Sequence, residues 1–212
     1  MIANYKYILL DVDGVVLSSI NYYMDLFRDI AESLGASKNI ANEFYKKNIG
    51  VKLNTWMINI VPEENHQKIK DLFFAKHRDT AENHQFPIIE GTKETLLKIK
   101  ENNQKSCLIS SKTRASMNSL IKDYNLESIL DFSISGDEVK NFKPDPEGIV
   151  KTLKYFNAKP DEAIFVGDSL HDLGAARNAS VRFIGVLSGI CTKTDWELEK
   201  VPYVPSVKEV YT

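Results

Sequence analysis

The chain has 212 residues, 43% of them hydrophobic and 26% charged, with 27 basic and 29 acidic side chains and a net charge of -2. That length suits one sizeable core or a core with a small accessory domain, and that composition belongs to an ordinary globular protein. The near balance of charge gives no electrostatic reason to expect nucleic acid or an anionic membrane as a partner.

Residues 6–12 (KYILLDV) read as a buried first strand, ended by the turn signal Asp13-Gly14. Tyr23, Leu26, Phe27, Ile30 and Leu34 then recur at helical spacing over residues 20–34. Residues 40–60 and 66–82 also read as helical, divided by Pro62. No convincing buried strand interrupts this stretch, so it reads as a helical insert. The expected organisation is core over 1–17, a small helical cap over 18–86 inserted after the first strand, and core again over 87–212.

After a linker from Pro87 to Gly91 the pattern alternates. Helices are expected at 92–102, 113–123, 147–156 and 170–179, the third framed at its start by Pro144 and Pro146. Strands are expected at 105–109 (KSCLI), 130–134 (LDFSI), 162–166 (EAIFV) and 181–187 (VRFIGVL). Strands alternating with helices argue for an α/β fold, a Rossmann-like three-layer core whose mostly parallel sheet is covered on both faces. Trp196, Pro202 and Pro205 mark residues 191–212 as a packed, irregular tail with one short helix.

Polar residues gather where four of these strands stop. Asp11 and Asp13 follow the first, Ser110 ends CLIS, Lys143 stands in VKNFKPD, and Asp168 and Asp172 stand in FVGDSLHD. In an open α/β sheet the carboxyl ends of the strands form the ligand crevice. Several carboxylates there repel one another and require a cation, and oxygen ligands without a His or Cys cluster point to Mg²⁺. A lysine and a serine hydroxyl can hold phosphate oxygens, and a further aspartate can attack phosphorus. Gly14 and Gly167, beside the acids, would let backbone approach a compact anion. Each residue alone has a plain alternative: a turn at Asp13-Gly14, a helix cap at Ser110 or Asp168-Ser169, a surface lysine at Lys143. The four groups in this order favour the site.

These residues carry a resemblance. ILLDVDG at 8–14, Ser110 at the end of CLIS, Lys143 in FKPDP and VGDSLHD at 166–172 resemble, in order, the four motifs of the haloacid dehalogenase superfamily of phosphatases. The pattern is most similar to the phosphoglycolate phosphatase and β-phosphoglucomutase group, which carries a helical cap between the first two motifs. The resemblance implies a Mg²⁺-dependent hydrolase of phosphate monoesters. Asp11 resembles the nucleophile, and Asp13 the general acid that later serves as base. Asp11, the backbone carbonyl of Asp13, and Asp168 resemble the metal ligands, with Asp172 supporting near the metal or Lys143. Ser110 and Lys143 resemble the phosphate clamp. Dehalogenases of the superfamily lack the second aspartate, which is present here as Asp13. One departure is Ser180, where the family usually has Gly, a position strained if its turn needs a positive φ.

In the expected cap, Gly50 interrupts the helical pattern and Lys52 follows it, placing residues 48–56 as a candidate lining of the substrate mouth. Gly50-Val51-Lys52-Leu53 lacks the arginine common in the mutase branch, which counts against a phosphomutase. A pyrophosphatase is a further alternative, and a non-enzymatic scaffold is disfavoured because no motif acid is lost. The expected partner is a small phosphorylated metabolite, with no nucleic acid and no membrane, in a monomer or homodimer. Asp11 and Asp13 break the apolar start, so it does not read as a signal peptide, and Cys107 and Cys191 as the only cysteines suit a reducing, cytoplasmic setting.

Overall fold

In a computed structural model, residues 1–37, 41, 43, 57–83 and 86–211 are described. In chain order the regular elements among them are β1 (Tyr7–Leu10), α1 (Ile20–Ser33), α2 (His66–Asn83), α3 (Thr92–Glu101), β2 (Lys105–Ile109), α4 (Arg114–Asp123), β3 (Phe132–Ile134), α5 (Glu147–Phe156), β4 (Ala163–Gly167), α6 (Leu170–Asn178), β5 (Arg182–Val186), α7 (Lys193–Leu198) and β6 (Tyr203–Val204). The strands form one sheet in the order β3-β2-β1-β4-β5-β6, and every neighbouring pair is parallel.

This order follows from strand composition. Ile8, Leu9 and Leu10 of β1 are fully buried, and all five residues of β4 are buried. Continuous apolar runs with no polar face suit the middle of a parallel sheet with helices on both sides. One cluster joins Leu9, Cys107 and Phe165 to Phe183 and Trp196. Burying side chains of this size contributes roughly 1.5–3 kcal/mol each. The helices start where the sequence supplies caps. The Thr113 side chain accepts from the Ser116 N–H to open α4, and capping boxes pair Ser169 with Asp172 and Thr192 with Asp195 at α6 and α7.

The expected Rossmann-like core is present, and the tail differs from its reading. After α7, Tyr203–Val204 adds a sixth parallel strand beside β5. Two residues between Pro202 and Pro205 are too short a run to show the strand pattern, and the pairing succeeds because Gly185 N–H reaches the Pro202 carbonyl at 2.9 Å. Ser180 adopts φ 57°, the left-handed conformation that its turn requires.

The chain divides into two compact units, Met1–Ser18 with Pro87–Thr212, and Ser19–Phe86. Within the second, α1 and α2 pack through Phe27 and Phe73, whose rings meet edge to face at 5.9 Å. Phe86 packs on Tyr22 and Tyr23. No strand occurs among its described residues, and Met57–Ile60, at the end of the expected 40–60 helix, form a single 3₁₀ turn. Gly50, Lys52 and the rest of 44–56 lie outside the described residues. No helix among the described residues is long and apolar enough to cross a membrane.

Candidate active site

Asp11 is the first residue past β1, and its N–H donates to the Val166 carbonyl of β4 at 3.0 Å. Leu10 stands opposite Leu108 on one side and Val166 on the other. Asp11 lies one residue beyond Leu10, and Ser110 and Asp168 lie two beyond Leu108 and Val166, so the three emerge together at the carboxyl ends of three adjacent parallel strands. The strand order reverses between β1 and β4, the switch point at which open α/β sheets bind ligands.

Lys143 joins them from the loop before α5. Glu147 fixes that loop by accepting the N–H groups of Lys140 and Asn141 at 2.9 and 3.0 Å. From there Lys143 Nζ reaches Asp11 Oδ1 at 2.7 Å and Asp172 Oδ1 at 2.6 Å. The ammonium also stands 5.7 Å from the centre of the Phe165 ring. Asp172 Oδ2 accepts from Ser169 Oγ at 2.6 Å and from the Ser169 N–H at 3.1 Å. Asp172 thus serves two ends of one construction: it caps α6 and it anchors Lys143. Ser110 and Lys143 line one small cavity with Ile109, Ser135, Asn141 and Ile149.

Asp11, Asp168 and Asp172 are buried, and each offers a carboxylate oxygen within 4.8 Å of the others. Burial pushes the Asp11 carboxyl up to about 7, with Asp172 and Asp13 adding to the rise against the pull of Lys143. Burial likewise raises Asp168 well above the ordinary carboxylate range, helped by Asp172 and Asp11. Burial disfavours the Lys143 ammonium, but Asp11 and Asp172 more than offset this and hold its pKa above the usual lysine value. Carboxylates this crowded require positive charge to remain ionised. The donors are all hard oxygens from three clustered carboxylates, so the residues fit a Mg²⁺ ion.

The fit is reinforced by a cradle around Asp168. The Ile190 N–H donates to Asp168 Oδ2 at 2.9 Å. A Cβ on Gly189 would lie 2.0 Å from that same oxygen, and one on Gly14 would lie 2.3 Å from it. Gly14 also needs φ +79°, which L side chains rarely adopt. Its N–H donates to the Leu17 carbonyl at 2.8 Å, so the local demand for glycine comes from the turn and from Asp168. Ser188 Oγ donates to the Gly14 carbonyl at 2.7 Å and ties this cradle to the turn after β1.

Sequence reasoning placed Asp11, Ser110, Lys143, Asp168 and Asp172 at strand ends; the structure brings all five together, but Lys143 comes from the loop nine residues past β3 and not from a strand end. It missed two contributors. Lys112, two residues after Ser110, is nearly buried and its Nζ lies 3.0 Å from Asp13 Oδ1. Four carboxylates, at Asp11, Asp13, Asp168 and Asp172, call for more positive charge than Lys143 alone, but that imbalance does not single out Lys112 in the sequence. The second contributor, Ser188–Ile190, acts through one hydroxyl, one N–H and one absent Cβ.

Pyrophosphatase PpaX of Halalkalibacterium halodurans is 26% identical over 175 residues, covering 82% of this chain and 80% of that protein. A structure from Bacteroides fragilis assigned to the haloacid dehalogenase-like hydrolases superposes with a TM-score of 0.78 at 26% identity, over 97% of this chain and 99% of its own. A Lactobacillus plantarum structure assigned as a phosphoglycolate phosphatase gives 0.79 at 20% identity, over 98% of each chain, a likeness of fold. The profile of the haloacid dehalogenase-like hydrolases matches residues 8–186, which takes in every motif acid, Ser110, Lys143, all of β1 but Tyr7, and the strands from β2 to β5. On that match the chain belongs to the haloacid dehalogenase-like hydrolase family.

Proposed function

We propose that the chain is a Mg²⁺-dependent phosphomonoester hydrolase that acts on a small phosphorylated metabolite through an aspartyl-phosphate on Asp11. The observation that carries this reading is the Asp11 carboxylate, buried at the end of the central strand, 2.7 Å from Lys143 and grouped with Asp168. A carboxylate so placed can attack an incoming phosphorus atom, while Lys143 and Ser110 hold the equatorial oxygens.

In the first half, an Asp11 oxygen bonds to phosphorus as the ester P–O bond breaks. The leaving oxygen takes a proton from Asp13, which stands two residues further along the same turn. In the second half, water attacks the phosphorus, gives its proton to Asp13, and frees inorganic phosphate and the Asp11 carboxylate. Asp11, Asp168 and the Asp13 backbone carbonyl would hold Mg²⁺, which when bound offsets the repulsion between carboxylate and phosphate and the charge of the transition state. Asp172 keeps Lys143 in place for both halves.

Residues 18–86 are proposed as the cap that selects the leaving group, with Lys52 as a candidate contact. A second reading takes the same steps with inorganic phosphate as the leaving group. The PpaX relative, named as a pyrophosphatase, favours including it. The test is a turnover screen of phosphorylated metabolites and inorganic pyrophosphate, with Mg²⁺ and with chelator. Release of phosphate from at least one monoester, abolished by chelator, is the expected result. Turnover of pyrophosphate alone would replace the monoester reading, and turnover of none would remove both.

A further inference from the structure

Ser110-Ser111-Lys112 leaves the end of β2 as a tightly held turn. The Lys112 N–H donates to Ser110 Oγ at 3.1 Å, and the Lys112 carbonyl accepts the Gly136 N–H at 2.7 Å. The next residues are tied down as well, since the Arg114 N–H binds both carboxylate oxygens of Asp137 at 3.0 Å. The base of the Lys112 side chain is therefore fixed relative to Ser110. Its side chain is 9% exposed and its Nζ stands 3.0 Å from Asp13 Oδ1, on a carboxylate 25% exposed.

An exposed lysine pair contributes little, because it gives up side-chain freedom and is screened by water. This pair is different in setting: the ammonium is nearly withdrawn from solvent and its backbone is immobilised at both ends. Such a group has few other places to go, and it constrains what it touches. What it touches, Asp13, stands two residues after Asp11 and immediately before Gly14, whose φ is positive.

We propose that Lys112 is a positioning residue for Asp13, its ammonium holding the Asp13 carboxyl in the rotamer that serves the leaving oxygen and then the attacking water. The proposal rests on the phosphatase reading above and adds to it a residue with no direct part in bond making. A proton donor displaced by about 1 Å can lose up to about a hundredfold in rate, so a fixed rotamer at this position has kinetic value. Lys143 and Lys112 then divide the work in the crevice: the first holds Asp11 and Asp172, the second holds Asp13.

The test uses the full chain with Mg²⁺, the variants Lys112→Ala, Lys112→Arg, Asp13→Asn and the double variant Lys112→Ala/Asp13→Asn, and two substrates. An alkyl phosphate needs its leaving oxygen protonated, whereas p-nitrophenyl phosphate needs little protonation. Lys112→Ala is expected to slow the first, phosphorylation step, read by rapid quench, about 10- to 100-fold for the alkyl phosphate and under about 3-fold for p-nitrophenyl phosphate, with substrate affinity little changed. Lys112→Arg should restore most of the alkyl rate. In the Asp13→Asn background, loss of Lys112 should cost under about 2-fold, because the group it positions is already disabled. Equal slowing of that first step on both substrates, a rise in KM alone, or the same cost with and without Asp13 would overturn the proposal. Crystal structures of the parent and Lys112→Ala decide it independently of turnover: Asp13 should leave its parent rotamer, and an unmoved carboxyl would overturn the role. A parent inactive on both esters would instead count against the phosphatase reading, with the crystal comparison still decisive for Lys112.

Discussion

Lys143 Nζ lies 2.7 Å from Asp11 Oδ1, although 132 residues separate the two in the chain. Removing the ammonium leaves Asp11 and Asp172 buried and facing each other without a cation. Breaking a buried pair in this way costs on the order of 3–5 kcal/mol. Lys143→Ala should therefore lower the urea midpoint of the metal-free protein as well as abolish turnover. A midpoint equal to the parent's would show that the pair contributes nothing to the fold.

Gly189 tests the metal cradle apart from catalysis. A Cβ there would stand 2.0 Å from Asp168 Oδ2 and displace the carboxylate from its bond with the Ile190 N–H. Gly189→Ala should weaken Mg²⁺ binding, measured by titration calorimetry, by at least about tenfold, as for other groups that orient a metal ligand. Unchanged affinity would mean that Asp168 is not oriented through this loop.

Glu147 gives a pH signature. Its hydrogen bonds from Lys151 and from the Asn141 and Lys140 N–H groups hold its carboxyl down at about 2, against an ordinary 4.5. A carboxyl lowered by folding stabilises the native state above its unfolded pKa, and that contribution is lost as pH falls through the folded value. Glu147→Gln should thus lower the melting temperature at neutral pH, and the gap from the parent should narrow between pH 4.5 and about 2. A gap independent of pH would contradict the assignment.

Asp13 should serve leaving groups unequally. Asp13→Asn should cripple hydrolysis of an alkyl phosphate and slow the first step with p-nitrophenyl phosphate much less, since that leaving group needs little protonation. Rapid-quench measurement of the first step separates the two. Equal slowing for both substrates would reject the acid role.

Much of this site was legible in the sequence because its chemistry demands particular side chains at strand ends. Asp11, Ser110 and Asp168 each follow an apolar strand and Asp172 stands in the first turn of the next helix, so periodicity and residue type point the same way, while Lys143 stands in the loop before α5 and was marked by its FKPDP context. Lys112 was not legible, because a lysine after Ser-Ser reads as solvated until its Nζ is found against Asp13. Ser188–Ile190 was hidden for another reason: an N–H donated to Asp168 and a missing Cβ leave no side-chain signature. The strand Tyr203–Val204 escaped because two residues carry no period, and it forms only when β5 offers an edge. Ser180 shows the reverse case, a departure visible in sequence whose positive φ the structure then displays.

The central claim is that the phosphoryl group passes through Asp11. Rapid acid quench of the Mg²⁺-loaded protein with a phosphate ester labelled at phosphorus, followed by peptide mapping, tests it most directly. Label should appear on the peptide bearing Asp11, accumulate further in Asp13→Asn, and be absent from Asp11→Asn, whose turnover should fall at least ~10³-fold at equal folded fraction. Full phosphatase activity in Asp11→Asn, with no labelled peptide in the parent, would contradict the account.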